Sequence, residues 1–194
     1  IERVVGRRPK QFNPRDDIGS IQWHRHSEEV DLSEQDWLLL SRTTRGARQI
    51  EEEVRRRGHL YTYNGSKSID GKMLDAVRYW ENLRQGHRLT GDQVRIVYKQ
   101  MVLGEQVEYG HKTLPKGVDG DYYTLQDLQD FHGLLHSLPW DLGLGKIPEN
   151  DRRYIKACLR KGESLTTEPR IRISTIHSAK GAQATNVMML TDTM

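Results

Sequence analysis

Ile171-Arg172-Ile173-Ser174-Thr175-Ile176-His177-Ser178-Ala179-Lys180-Gly181-Ala182-Gln183 is the stretch whose reading decides the fold. Ile171, Ile173 and the β-branched Thr175 recur at period two, which predicts a strand with one apolar face. The polar run His177 to Gly181 breaks that strand, and a second apolar run, Val187-Met188-Met189-Leu190, follows it. A strand that ends in imidazole, hydroxyl, amine and glycine puts donors beyond its carboxyl end, where open α/β sheets bind ligands. Gly181 lets backbone approach such a ligand closely.

Upstream, Asp36-Trp37-Leu38-Leu39-Leu40-Ser41-Arg42 is a continuous apolar run closed by polar residues, as buried parallel strands are. Thr43 or Thr44 can cap the helix that follows. Ala47, Ile50 and Val54 are its inward stripe, and Gly58 stops it. His59 to Tyr63 returns as a strand. Strand, helix and strand with short loops make a βαβ unit, so an α/β fold with a parallel sheet is expected. Its core should come from the helix stripe and the strands at Leu38–Leu40 and Val187–Leu190. Arg42 then ends its strand on the same edge as His177 and Lys180. Two cationic groups on one sheet edge suit a phosphate-bearing ligand, and the competing reading pairs Arg42 with a local carboxylate.

Residues 1–18 look like a helix end and a basic linker. Ser20 to His26 alternates as a strand, with His24 and His26 on one face; an exposed strand face outweighs a metal pair there. Ile69, Met73, Val77 and Trp80 space as a helix ending near Arg84 to Gly86. From 86 to 168 the character changes to helical. Thr90-Gly91-Asp92-Gln93 is a capping box opening a helix through Val94, Val97, Met101 and Val102. Thr124 caps another with Leu125, Leu128, Phe131 and Leu135 inward. Pro139 to Gly143 is a turn. Pro148 begins a last helix with Tyr154, Ile155, Cys158 and Leu159. This reads as a small all-helical insertion in a sheet domain.

Three patterns in the insertion carry no chemistry. Gly143-Leu144-Gly145-Lys146-Ile147 lacks the first glycine and the magnesium-binding hydroxyl of a phosphate loop. His132 and His136 are four apart on a predicted helix, but no glutamate follows the first. Asp119-Gly120-Asp121 lacks the other ligands of a calcium loop and reads as a turn.

Composition sets limits. A chain of 194 residues suits one domain with an inserted subdomain. Apolar content of 35% predicts a modest core and a polar surface. Net charge is only +3, so local clusters carry the electrostatics: Arg7-Arg8-Pro9-Lys10, Arg55-Arg56-Arg57, and Arg160-Lys161 with Arg170 and Arg172. Arg55 to Arg57, at a helix end, reads as a solvated face that suits the dipole. The single cysteine, Cys158, excludes an internal disulfide and a multi-cysteine zinc site, and fits a reducing compartment. No run is long and apolar enough to span a membrane.

The Thr175-Ile176-His177-Ser178-Ala179-Lys180-Gly181 run resembles motif V of the UvrD/Rep-like superfamily 1 helicases, with Gln183 where that family has Glu. Leu38 through Glu52 resembles motif IV, and Tyr61-Thr62-Tyr63-Asn64-Gly65 resembles the family's Y-x-x-x-G segment. The resemblance implies a RecA-like (P-loop NTPase-type) second motor domain, residues 1–85 and 169–194, with residues 86–168 as the helical insertion. It implies that Arg42 reaches the γ-phosphate of ATP and that Gly181 and Gln183 lie near the nucleotide, Gln183 at the ribose. It assigns Thr175, His177, Ser178 and Gly65 to DNA, and Lys180 to a DNA phosphate or to the coupling network on the ATP side. Ser41 stands where the family often has an aromatic that stacks on adenine. Arg48 matches an arginine expected to make structural ion pairs.

The implied activity is ATP-dependent translocation on single-stranded DNA, 3′-to-5′, with unwinding of duplex, in DNA replication or repair. The Mg2+ ligands and phosphate-cradling loop would belong to the first RecA-like motor domain of the same chain, and a second arginine motif to sequence beyond Met194. The residues given are thus expected to be a monomeric, inactive piece of a cytoplasmic enzyme. The alternatives are a non-catalytic module that grips nucleic acid or protein, with Ser41 and Gln183 as its support, or the helicase half of a helicase–nuclease.

Overall fold

The computed structural model describes residues 18–111 and 122–191. The Arg7-Arg8-Pro9-Lys10 cluster and Asp119-Gly120-Asp121 lie outside them. Residues 1–30 and 31–194 form two units.

In the first unit the described residues 18–30 hold a single 3-10 turn, Ser27–Glu29, and no strand. The strand expected from Ser20 to His26 does not form. Alternation alone cannot hold an extended segment; a strand needs neighbours for its backbone groups. Here Glu29 gathers the chain into a turn instead, its carboxylate accepting from Arg25 N at 3.3 Å and lying 3.6 Å from His24 Nδ1. Ile21 and Trp23 are left exposed.

The second unit is built on a five-stranded sheet. Its strands are β1 (Trp37–Ser41), β2 (Tyr61–Tyr63), β3 (Ser66–Lys67), β6 (Ile171–Thr175) and β7 (Asn186–Leu190), in the order β3-β2-β6-β1-β7. β1 pairs in parallel with β6 and β7, and β2 pairs in parallel with β6. Helix α1 (Thr44–Arg56) joins β1 to β2, so the βαβ unit forms as its apolar spacing dictates. Thr43 Oγ1 accepts from Gly46 N at 3.0 Å, and Ala47, Ile50 and Val54 are buried. Gly58 ends the helix twice over: φ is +75°, and a Cβ there would lie 2.9 Å from the Ala157 backbone.

Asn64 and Gly65, φ 47° and 84°, turn β2 into the antiparallel β3. Asn-Gly between two strands is the residue pair such tight hairpins favour. At the far edge, β7 gives less to the core than expected. Its register with Leu38 and Leu40 puts Val187 and Met189 on the face away from Ser41, and both stay 54% exposed.

Between β3 and β6 run α2 (Gly71–Arg84), β4 (Leu89–Thr90), α3 (Gly91–Lys99), β5 (Tyr122–Tyr123), α4 (Leu125–Phe131), α5 (Trp140–Gly143) and α6 (Glu149–Arg160). β4 and β5 pair antiparallel, so the stretch is not all helical. Both Thr90 and Thr124 make full capping boxes. The core here centres on Trp80, fully buried, whose indole donates to Leu138 O at 2.9 Å.

Five expectations for this region change. α3 ends at Lys99, so the buried Met101 lies beyond it. α4 ends at Phe131, and Phe131 and Leu135 are exposed, because Gly133 with φ +65° turns the chain. His132 and His136 therefore do not share a helix face; His132 packs edge-on to the Tyr123 ring at 5.1 Å. Leu159, near the end of α6, is exposed. Trp140–Gly143, after its N-cap Pro139, forms the short α5 where a turn is expected.

α6 is tied to the sheet by polar contacts. Tyr154 donates to His59 O at 2.6 Å. Arg55 donates to Asp151 at 2.7 Å and lies 4.1 Å over the Tyr154 ring. Arg55 is thus a half-buried strap rather than part of a solvated face. His59, almost wholly buried, lies 2.8 Å from Glu163 Oε1 through Nδ1, and Arg170 reaches the same oxygen at 3.1 Å. Burial pushes the Glu163 carboxyl up, but the His59 hydrogen bond and the Arg170 charge together hold it below the ordinary range.

Candidate functional site at the carboxyl edge of the sheet

Three parallel strands end side by side. In the register, Ser41 of β1 pairs with Thr175 of β6, and Tyr63 of β2 pairs with Ile173. Arg42, Asn64 and the run from Ile176 onward therefore leave the sheet at one edge. Ile176 N donates to Ser41 O at 2.9 Å, which fixes the start of the loop against β1. Adjacent strands lie about 4.8 Å apart, so Arg42 adjoins the His177 loop by construction.

The loop is shaped by its own hydroxyls. Ser178 N donates to Thr175 Oγ1 at 3.2 Å, and the Thr175 hydroxyl donates to Ser178 Oγ at 2.9 Å. This closes a Ser/Thr turn directly after β6. Ala179 N donates to Thr175 O at 3.0 Å and Lys180 N to His177 O at 3.4 Å. Gly181 then takes φ +82°, with open space where a side chain would be. Thr175 spends its hydroxyl inside the turn, while His177, Ser178 and Lys180 are exposed.

Arg42, His177 and Lys180 have no side-chain hydrogen bond or ion pair among the described residues, so the local carboxylate proposed for Arg42 does not appear. Beside them, Asn64 Oδ1 accepts from Ser174 Oγ at 3.1 Å, and Asn64 N donates to Ile173 O at 3.1 Å. These bonds hold the turn carrying Gly65 at the same edge. The result is a cationic, hydroxyl-bearing edge with uncommitted donors, suited to phosphate oxygens.

Two residues depart from their expected places. Ser41 faces no ligand. It is fully buried, and a Cβ on Gly46 would come 2.1 Å from its Oγ. Gln183 is not brought to Arg42. Its carbonyl accepts from Arg172, whose guanidinium also lies 3.7 Å from Asp36, and Thr185 N donates to Asp36 Oδ1 at 3.1 Å. Asp36 precedes β1, so by residue 183 the chain has run back to the opposite, amino edge. The Thr185 hydrogen bonds and then Arg172 hold the Asp36 carboxyl below its ordinary range.

Arg48, expected in structural ion pairs, makes none among the described residues, and neither does Arg45, to which the resemblance gives no role. Tyr63, at the end of β2, has a shielded hydroxyl with no hydrogen-bond partner among the described residues, which no pattern in the sequence signals. Elsewhere, a groove of about 710 Å³ between α1 and α6 is lined by Arg55, Asp151 and Arg153, charges already satisfied within the chain. No group of three His, Cys, Asp or Glu among the described residues could hold a metal ion. No described helix is long and apolar enough to cross a membrane. The chain matches no protein-family model, no curated protein and no solved structure.

Proposed function

We propose that the chain is the second RecA-like motor half of a UvrD/Rep-like superfamily 1 DNA helicase, coupling ATP hydrolysis to movement along single-stranded DNA. The observation that supports it most is the Ser41–Thr175 register, which sets an uncommitted Arg42 beside the His177–Gly181 loop. ATP with Mg2+, held by a first motor domain, would supply the bond that is broken. Arg42 meets the charge that develops on the transferred phosphoryl oxygens, where a fixed guanidinium stabilises the transition state. His177, Ser178 and Lys180 hold the DNA backbone from the adjoining loop. Arg42 and the DNA-contacting loop start from neighbouring strand ends, so a shift of one is felt by the other.

In the protein carrying both motor halves, Arg42→Ala is expected to lower single-stranded-DNA-stimulated ATPase about a hundredfold or more. Affinity for single-stranded DNA without nucleotide stays unchanged. Near-normal ATPase in the variant would refute the assignment. A second reading, a module that grips nucleic acid without turnover, is favoured by Gln183, which is drawn to the edge opposite Arg42. The same assay separates the two: the grip binds DNA, but the unsubstituted protein releases no phosphate.

A further inference from the structure

Among the described residues, five helix-borne arginines are tied to a carboxylate one turn away. Arg56 pairs with Glu53, Arg78 with Asp75, Arg84 with Glu81, Arg95 with Asp92 and Arg153 with Glu149. The first two turns of α1 lack such pairs, as does Arg160 at the end of α6. Arg45 and Arg48 are exposed and have no partner among the described residues, although Glu52, an exposed acid, lies one turn beyond Arg48. With Arg42 they recur every three residues, so Arg45 and Arg48 lie about 4.5 Å apart along the helix axis on one side. The stripe starts at the carboxyl edge of β1 and runs back along α1, outside the buried Ala47, Ile50 and Val54.

We infer that Arg45 and Arg48 form a second phosphate track, which carries a single-stranded nucleic-acid backbone from the His177–Lys180 loop along the outer face of α1. The inference rests on the helicase reading of that edge and extends it to residues to which the reading gives no ligand. A planar guanidinium offers paired donors to phosphate oxygens. The amino end of α1 adds the positive pole of its dipole. No exposed aromatic side chain lies on α1, so the track holds backbone and does not stack bases.

The test is binding of a fluorescent oligothymidylate to this chain across a salt series. Each phosphate neutralised on a single strand contributes about 0.7 to the slope of log affinity against log salt. Arg45→Ala/Arg48→Ala is expected to flatten that slope by about 1.4. Arg95→Ala/Arg153→Ala removes the same charge from paired positions and should leave the slope unchanged. Lys180→Ala flattens it by about 0.7 and reports on the loop alone. An unchanged slope in the Arg45/Arg48 variant, with Lys180→Ala still flattening it, overturns the track and leaves the helicase reading standing; an arginine stripe that serves an acidic protein gives this result. Equal flattening by the Arg95/Arg153 control overturns it too, since mere net charge would then be responsible. Oligothymidylate that ATP displaces from the wild type but not from the Arg45/Arg48 variant assigns the stripe to nucleotide and overturns it. Absence of any salt-dependent binding overturns both the track and the reading beneath it.

Discussion

Ser41 occupies the place where the helicase resemblance has an aromatic residue, yet its side chain turns into the core. β1 alternates faces, and the face that carries Leu39 and Ser41 is the one α1 covers, with Gly46 directly over Ser41. A small residue is required there by packing, so its size says nothing about a nucleotide. Ser41→Tyr should therefore fail to build an adenine platform and instead overpack the β1–α1 contact. Such insertions cost about 1–3 kcal/mol and sometimes more. Thermal unfolding should show a lowered midpoint; an unchanged midpoint would mean the side chain has a route to the surface. Gly46→Ala should destabilise for the same reason, and Ser41→Ala should recover part of that loss, a coupling between contacting sites that a double-mutant cycle measures. Arg42, by contrast, was legible, because its position at a strand end follows from the apolar run before it. Gln183 was not. Nothing in the run from His177 to Gln183 reveals that Arg172 and Asp36 draw the chain back to the other edge.

Elements with strong local signals formed as read. α1 has its stripe within thirteen residues, with its cap, Thr43, just before them and its stop, Gly58, just after, and the two capping boxes at Thr90 and Thr124 need only a few residues each. Elements that depend on distant partners were less legible. β4 and β5 are two residues each and exist only because they meet across more than thirty positions of sequence. Ser20 to His26 had the right alternation and no strand partner among the described residues. The β2–β3 hairpin is legible in Asn64-Gly65, although the same pair also fits the end of the longer Tyr61–Gly65 segment.

Two predictions belong to the joints between elements. Trp80 is fully buried among the helices and its indole bonds Leu138, so Trp80→Ala should cost about 3–5 kcal/mol, measured by urea unfolding. A cost below about 1 kcal/mol would show that the helical core closes without it. Glu163 ties α6 to β2 through His59 and to the start of β6 through Arg170. Its carboxyl titrates lower in the folded chain than in the unfolded one, so its contribution is present above the ordinary glutamate value of 4.5. That contribution is lost as pH falls through the lower folded value. Glu163→Gln should be less stable than wild type at neutral pH, and the difference should shrink as the pH is lowered through this window. A difference that holds constant down to pH 3 would exclude the linkage.

At the scale of the molecule, the parallel order of β2, β6, β1 and β7 turns three short motifs, far apart in sequence, into one edge. Ser41, which precedes Arg42, and Thr175 are 134 positions apart in the numbering and paired through neighbouring strands. That adjacency followed from the βαβ unit and the second apolar run; the order of the strands did not, because no local pattern says that β6 inserts between β1 and β2. The edge presents cations and hydroxyls. The sequence has no complete phosphate-cradling glycine loop, so the proposed chemistry requires a second half. The most direct measurement is phosphate release with single-stranded DNA present, made on this chain alone and on the protein that joins it to a first motor domain. The account predicts no turnover from the chain alone and DNA-stimulated turnover from the joined protein. Turnover by the purified chain that disappears on substituting a residue within it would contradict the account, because the nucleotide site would then lie inside these residues.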